Sequence, residues 1–92
     1  MAPVGDLDAA TNPAFRDAVD AALTHPGHRV VIDLTDVSFM SAGAIGVIAR
    51  ARSSVAATRG VLTVVCPSPR LRRLFDIAGI SSHLDIVSVR PL

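Results

Sequence analysis

The chain has 92 residues, of which 50% are hydrophobic, and a formal net charge of +1. A chain of this length buries only roughly 60–65% of its unfolded surface, which leaves room for one small domain over residues 1–92 and no second core. Because the charges nearly balance and neither Trp nor Tyr occurs, we expect no direct binding of nucleic acid. The single cysteine, Cys66, cannot form an internal disulfide, and no apolar run reaches the ~20 residues of a membrane helix, so we expect a cytoplasmic protein without membrane insertion.

The first third of the chain predicts a helix and then a buried strand. Thr11 or Asn12 is placed to cap a helix over residues 11–23, whose apolar residues recur at helical spacing. The sequence His-Pro-Gly at 25–27 ends this helix. The continuous apolar run at 29–34 then predicts a strand of a parallel sheet, covered on both faces.

Two more helices and two more strands are predicted in the rest of the chain. Apolar residues over 45–55 predict a helix that ends near Gly60, and residues 61–66 predict a second buried strand. Ser68 is placed to cap a helix that Gly79 ends, and residues 85–89 predict a last strand. This alternation predicts an α/β fold with a single small sheet, mixed or mostly parallel, flanked by about three helices.

The segment DVSFMSAGAIGVIARA, residues 36–51, enters the second predicted helix through a turn without bulky side chains. We call Ser41, Ala42, Gly43 and Ala44 the bare turn. In open α/β sheets, the loop from a strand to the next helix presents main-chain N–H groups and the positive end of the helix dipole. Small side chains also let another protein approach closely, so we expect the bare turn to be uncovered and to bind a protein partner.

Three segments in one order give the chain a resemblance to a known family. They are VGDLDAAT before the first helix, VVIDLTDVSFMSAGAIGVIARA around the bare turn, and PSPRLRRLFDIAGI at the last helix. Together they resemble the STAS domain of the bacterial anti-sigma factor antagonists, also called anti-anti-sigma factors. Residues 5–8 match the family's Gly-Glu-Leu-Asp, with Asp6 in place of Glu. The family's strand and its Phe-Ile-Asp-Ser-Ser-Gly-Leu-Gly-Val motif are matched in one ungapped register by Asp33, Leu34, Phe39, Ile45, Gly46 and Val47.

The resemblance implies a role in transcription regulation through a protein–protein interaction. The domain would dock on a kinase-like anti-sigma factor, a histidine-kinase-like ATPase, and so release a sigma factor. It implies neither enzymatic activity nor a cofactor. Two alternatives stay open: an accessory subunit of an ABC-type lipid transporter, and a small-ligand-binding STAS domain. The residues expected to contact the partner are Asp8, Met40, Ser41, Ala42, Gly43, Ala44 and Val47.

Two departures from the family pattern change what the resemblance implies. Gly43 aligns with the Ser or Thr that the partner kinase phosphorylates in regulated members, and because Gly43 has no hydroxyl group, the phosphorylation switch is expected to be missing. Ser41 aligns with the family's acidic position and is the other candidate for phosphorylation. Only four residues precede Gly5, where the family has a strand and a turn. Either the start is truncated or misassigned, or the domain lacks this first edge strand, and an uncovered edge favours homodimerisation.

Three of the expected contact residues also have ordinary structural explanations. Ser41 suits the N-cap of the second helix. Asp8 suits either a turn or the docking site. Val47 lies off the stripe formed by the other apolar residues of its helix, so its side chain faces either the core or the partner.

Other polar residues give no support for catalysis or metal binding. No base is placed to complete an acid–base pair with Asp33 and Asp36. The arginines within 70–73 suit a solvated helix face, and no acid or cysteine lies at ligand spacing from His25, His28 or His83. We therefore expect neither an active site nor a metal site.

Overall fold

The structure, a computed structural model, describes residues 1–24 and 29–89. Helices and strands alternate along most of this part of the chain, and the predicted α/β fold with three helices is confirmed. The helices are α1 (Asn12–Ala22), α2 (Ala42–Ala57) and α3 (Pro69–Ile77), and a short 3-10 turn follows at Ser81–His83. The strands are β1 (Gly5–Leu7), β2 (Arg29–Asp33), β3 (Val37–Met40), β4 (Val61–Val65) and β5 (Asp85–Val87). The predicted helix stop at 25–27 lies outside the described residues.

The strand pairs in the described residues are all parallel, in agreement with the predicted sheet. β1 pairs with β3, and β4 lies between β2 and β5. The amino-terminal segment connects the pair β1–β3 to the three strands β2, β4 and β5. The Asp33 N–H at the end of β2 donates to the Met1 carbonyl at 2.8 Å, and the Gly5 N–H in β1 donates to the Asp36 carbonyl at 2.9 Å. Residues 1–7 therefore run beside β2 and then beside β3.

Strand β3 was not predicted from the sequence. The Oδ1 atom of Asp33 accepts the Thr35 N–H at 3.0 Å, so the chain turns at the end of β2 before β3 begins. At the other end of β3, the Ser41 N–H donates to the Leu7 carbonyl at 2.8 Å. The bare turn therefore leaves a strand whose position is fixed by its pairing with β1.

One buried cluster joins all three helices to the sheet. Its burial is deepest around β2, β4 and the inner faces of α2 and α3. Helix α2 packs against both α1 and β4. The largest fully buried side chains are Phe75, Ile32, Leu34, Ile48 and Leu71.

The two long strands differ in how completely they are covered. Leu62 to Val65 of β4 are all buried, as predicted for a central parallel strand. In β2 only Val30 and Ile32 are buried, whereas the alternate residues Val31 and Asp33 are half-exposed. The prediction that both faces of β2 are covered was therefore wrong for one face.

Both ends of α3 follow the predicted chemistry, whereas the carboxyl-terminal end of α2 does not. In α3 the Ser68 hydroxyl accepts the Leu71 N–H at 3.3 Å, and Gly79 has the left-handed conformation, with φ 76°, after the last turn. At the end of α2 the left-handed residue is Arg59, with φ 61°, and not the predicted Gly60. Gly60 is the residue after the left-handed one, and its N–H donates to the Val55 carbonyl at 2.9 Å. The Ile80 N–H donates to the Phe75 carbonyl in the same way at the end of α3, so both helices end in the same capping pattern.

In the part of the chain that the structure describes, none of the helices combines the length and the apolar composition needed to cross a membrane.

Candidate functional site

The bare turn forms the start of α2, and Ser41 is its N-cap, as predicted. Ser41 has extended backbone angles, and its hydroxyl oxygen accepts the Ala44 N–H at 3.2 Å. Its carbonyl accepts the Ile45 N–H at 3.1 Å. One serine thus satisfies two main-chain donors of the first turn, which fixes where α2 begins.

The outer surface of the bare turn consists of small residues that no bulky side chain covers. Ala42 and Gly43 are exposed and Ser41 is half-buried, so the prediction of an uncovered turn is confirmed for Ala42 and Gly43. Gly46, one turn further along α2, is also exposed, and a Cβ atom added there would meet no heavy atom within 4 Å. The start of α2 therefore presents a low, smooth surface that another protein can approach closely.

Three of the predicted contact residues lie beneath this surface. Met40, Ala44 and Val47 are all buried members of the core cluster. Val47 is buried although it lies off the main apolar stripe, because α2 packs against both α1 and β4 and so buries a wide face. Of the two orientations that the sequence left open for Val47, the structure has the inward one. These three side chains support the turn from inside and do not form its surface.

The turn from β1 to α1 lies directly beside the bare turn. The Leu7 carbonyl, which accepts the Ser41 N–H, immediately precedes Asp8. The Asp8 carboxylate accepts the N–H groups of Ala10 at 3.0 Å and of Thr11 at 3.1 Å. The Thr11 N–H and then the Thr11 hydroxyl hold the pKa of the Asp8 carboxyl below its usual value. Asp8 thus shapes this turn, as one of the two sequence-based interpretations expects, and its contact with a partner stays a prediction.

Asn12 is the polar side chain that comes nearest to the aligned phosphorylation position. A Cβ atom at Gly43 would lie 3.3 Å from Asn12 Nδ2, and the Oδ1 atom of Asn12 is buried without a hydrogen-bond partner. Sequence reasoning treated Asn12 only as a possible helix cap. Its position beside Gly43 could not have been found from spacing, since it depends on the packing of α1 against α2.

Phe39 is a surface residue of the site that sequence reasoning did not select. In β3 the residues Val37 and Met40 are buried, whereas Ser38 and Phe39 are exposed. The Phe39 ring is two residues before Ser41 and is 50% exposed. Its aromatic type was visible in the sequence, but the irregular register between β1 and β3, which turns it outward, was not.

The remaining polar groups do not converge on a reactive centre. In residues 1–24 and 29–89, no three His, Cys, Asp or Glu side chains are arranged to hold a metal ion. Burial raises the pKa of the Cys66 thiol, which keeps it in its unreactive protonated form. Of the histidines, His25 and His28 lie outside the described residues.

Comparisons with known proteins give a consistent result. A family model described as STAS domain matches residues 1–90. The anti-sigma-B factor antagonist of Listeria monocytogenes serovar 1/2a (strain EGD-e) is 35% identical over 85 residues, which cover 92% of this chain and 75% of that protein. The anti-sigma-B factor antagonist of Bacillus subtilis (strain 168) is 34% identical over 82 residues, covering 89% and 74% of the two chains.

Solved structures show the same fold. The anti-sigma factor antagonist SpoIIAA in its unphosphorylated form superposes with a TM-score of 0.71 at 18% identity, covering 97% of this chain and 77% of that one. An anti-sigma factor antagonist from Mycobacterium paratuberculosis gives a TM-score of 0.79 at 21% identity, covering 96% and 74%.

Proposed function

Since the chain belongs to the STAS domain family, we propose that it is an anti-sigma factor antagonist, which binds an anti-sigma factor through the bare turn and thereby frees a sigma factor. The observation that carries this proposal is the exposed, side-chain-poor start of α2 at Ala42 and Gly43. The names of the relatives support the antagonist role. The protein acts by binding, without catalysis of its own, and works in the cytoplasm, where sigma factors operate.

We propose that the anti-sigma factor is of the kinase-like type and that phosphorylation of the bare turn does not switch the interaction off. A phosphate group adds roughly −1.5 to −2 charges and three acceptor oxygens, which would disrupt a partner surface packed on the turn. Gly43 has no hydroxyl group to modify. The Ser41 hydroxyl is half-buried and holds the Ala44 N–H, so its modification would disturb the cap of α2.

The partner is identified by affinity capture from the native cell extract, with the wild-type chain compared with Gly43→Asp and Gly43→Ala. We expect the Gly43→Asp variant to keep its fold, because a carboxylate in the first turn of α2 is favourable to the helix dipole and the close contact of its Cβ atom, 3.3 Å, is with the end of the Asn12 side chain, which can shift. It adds negative charge to the exposed surface, whereas Gly43→Ala adds only one methyl group. We expect Gly43→Asp to lose a histidine-kinase-like ATPase that the wild-type chain retains.

Reconstitution with that purified ATPase and its sigma factor then tests the antagonist role directly. We expect the wild-type chain to displace the sigma factor, and incubation with the ATPase and ATP to leave its intact mass unchanged. Capture of an ABC ATPase would support the transporter alternative. Stoichiometric phosphate on residues 41–44 would show that the switch is retained.

We also propose homodimerisation through the outer edge of β1. In the described part of the chain β1 pairs with β3 alone, and Val4 beside it is 77% exposed. An apolar depression of about 340 Å³ lies between this segment and α1. A free strand edge with apolar neighbours favours pairing with a second copy. Light scattering at high protein concentration tests this, and a monomeric mass there would count against it.

A further inference from the structure

The start of α3 lies next to the bare turn. The Nη2 atom of Arg70, in the first turn of α3, donates to the Ser38 carbonyl at 2.6 Å. Ser38 immediately precedes the exposed Phe39 and lies three residues before Ser41. This bond ties the first turn of α3 to β3 beside Phe39, on the strand that leads into the bare turn.

Phe39 is exposed in a way that its own fold does not require. Phe15 and Phe75 are buried in the core, whereas half of the Phe39 side chain is accessible to water. Exposure of an aromatic side chain forgoes part of the stabilisation that its full burial would contribute. Aromatic side chains, Phe among them, are enriched at the cores of protein interfaces. Phe39 therefore fits an anchor for a partner.

Two arginines lie on one side of α3. Arg70 is in the first turn, where the helix dipole is positive and no acidic residue is present, and Arg73 follows it one turn later. Arg72 points elsewhere and donates to the Ser88 hydroxyl at 3.3 Å. Within the described residues, Arg73 makes no hydrogen bond or ion pair. Its positive charge is left available to an external group.

Arg70, Arg73 and Ile77 form one stripe along the helix, which we call the α3 face. Ile77 is 75% exposed, so the stripe ends on a second uncovered apolar side chain. Pro69, Arg70 and Arg73 line a depression of about 270 Å³. Arginine and aromatic side chains together are enriched at protein interfaces. The α3 face and Phe39 thus have the composition of an interface that complements carboxylates.

We propose that the docking surface extends from the bare turn across Phe39 to the α3 face, and that the anti-sigma factor meets this part with a carboxylate-bearing segment around an apolar site for Phe39. This inference rests on the proposed antagonist function and adds the chemistry of the partner. Of the eight acidic residues, all Asp, six lie in residues 1–36, whereas seven of the nine arginines follow residue 49. The acidic residues are thus concentrated before the bare turn and the arginines after it, with Asp76 as the one acidic residue of α3 itself. An acidic partner segment is directed to Arg70 and Arg73 and away from the β1–α1 turn.

Zero-length cross-linking tests the chemistry of the partner. The chain contains no lysine, so the Arg73→Lys variant has one side-chain amine, at position 73. A carbodiimide joins this amine only to a carboxylate that is in direct contact with it. The probe is the purified anti-sigma factor in complex with the variant. The matched control is Arg59→Lys, since Arg59 follows the far end of the 16-residue helix α2, about 24 Å from the bare turn.

We expect peptide mapping to show a cross-link from position 73 to an Asp or Glu of the anti-sigma factor, and none from position 59. The proposal is overturned if the complex forms but position 73 gives no more cross-link than position 59. A cross-link from both positions would also overturn it, because it would show contact without selectivity for the α3 face.

Affinity measurements separate this inference from the proposed function. We expect Phe39→Ala to weaken binding of the anti-sigma factor more than tenfold, and Arg73→Glu to weaken it about tenfold with a reduced dependence on salt, while Arg59→Glu binds like the wild type. Wild-type affinity in both Phe39→Ala and Arg73→Glu, with binding lost in Gly43→Asp, would refute the extended surface and leave the docking function standing. If the wild-type chain does not bind any anti-sigma factor, both proposals are wrong.

Discussion

Gly46→Ala gives a direct test of whether α2 carries glycine for the fold or for its surface. Gly46 lies inside α2 with ordinary helical backbone angles, and a Cβ atom there would meet nothing within 4 Å. Alanine at such a position is more favourable than glycine by about 0.8–1 kcal/mol, because it restricts the unfolded chain and suits the helix. For a domain of this size, that corresponds to a rise in Tm of roughly 4–8 °C.

Thermal unfolding followed by circular dichroism measures this rise, and Gly43→Ala is the matched control. Gly43 is also in α2, but its added Cβ would lie only 3.3 Å from Asn12 Nδ2, so that side chain must shift and we expect a smaller gain. An unchanged or lower Tm for Gly46→Ala, or an equal rise for both variants, would refute the reasoning. If Gly46→Ala is more stable yet binds the anti-sigma factor more weakly, the bareness of α2 serves docking.

Three further predictions concern the stability of the fold, one through a backbone conformation and two through polar contacts. Arg59→Gly should raise the free energy of unfolding by about 0.5–1 kcal/mol, because glycine adopts the left-handed conformation at φ 61° without the side-chain clash, and urea titration measures the change. Asp85→Ala should lower it by roughly 1–3 kcal/mol, because the fully buried Thr63 hydroxyl loses its acceptor at 2.9 Å; Thr63→Val should cost less, and an equal loss in the two variants would contradict the hydrogen-bond explanation. Asp8→Ala should lower the Tm at pH 7, and the Tm values of the two proteins should converge as the pH is lowered below 3.8, because a lowered folded pKa gives stability that is present above this ordinary value and is lost as the pH falls through the folded pKa. A difference in Tm that persists at low pH would show that the Asp8 contribution is not ionic.

Local patterns predicted α3 and the start of α2 well. Ser68 and Gly79 mark the two ends of α3 because N-capping and left-handed termination depend only on residues within one turn. Ser41 caps α2 for the same reason. The end of α2 was misplaced by one residue, because glycine is the usual left-handed residue and Arg59 takes that conformation here.

Contacts between distant segments explain what the sequence did not predict. β3 exists because residues 37–40 pair with β1, more than thirty residues earlier in the chain. Phe39 is exposed because the pairing of β3 with β1 is irregular: the register shifts between Gly5 and Asp6, so that Val37 and Met40, three residues apart, both face inward. Val47 is buried because α2 packs against two elements, whereas helical periodicity describes only one face.

The sequence by itself determined the α/β alternation, the helix caps, the family and the small side chains of the bare turn. Each of these depends on residue type and on neighbours close in the chain. Only the tertiary structure decided which members of the candidate site reach the surface, and that it continues onto α3 through the bond from Arg70 to the Ser38 carbonyl. Exposure and adjacency of this kind arise from pairing and packing between segments far apart in the chain, which no local pattern encodes.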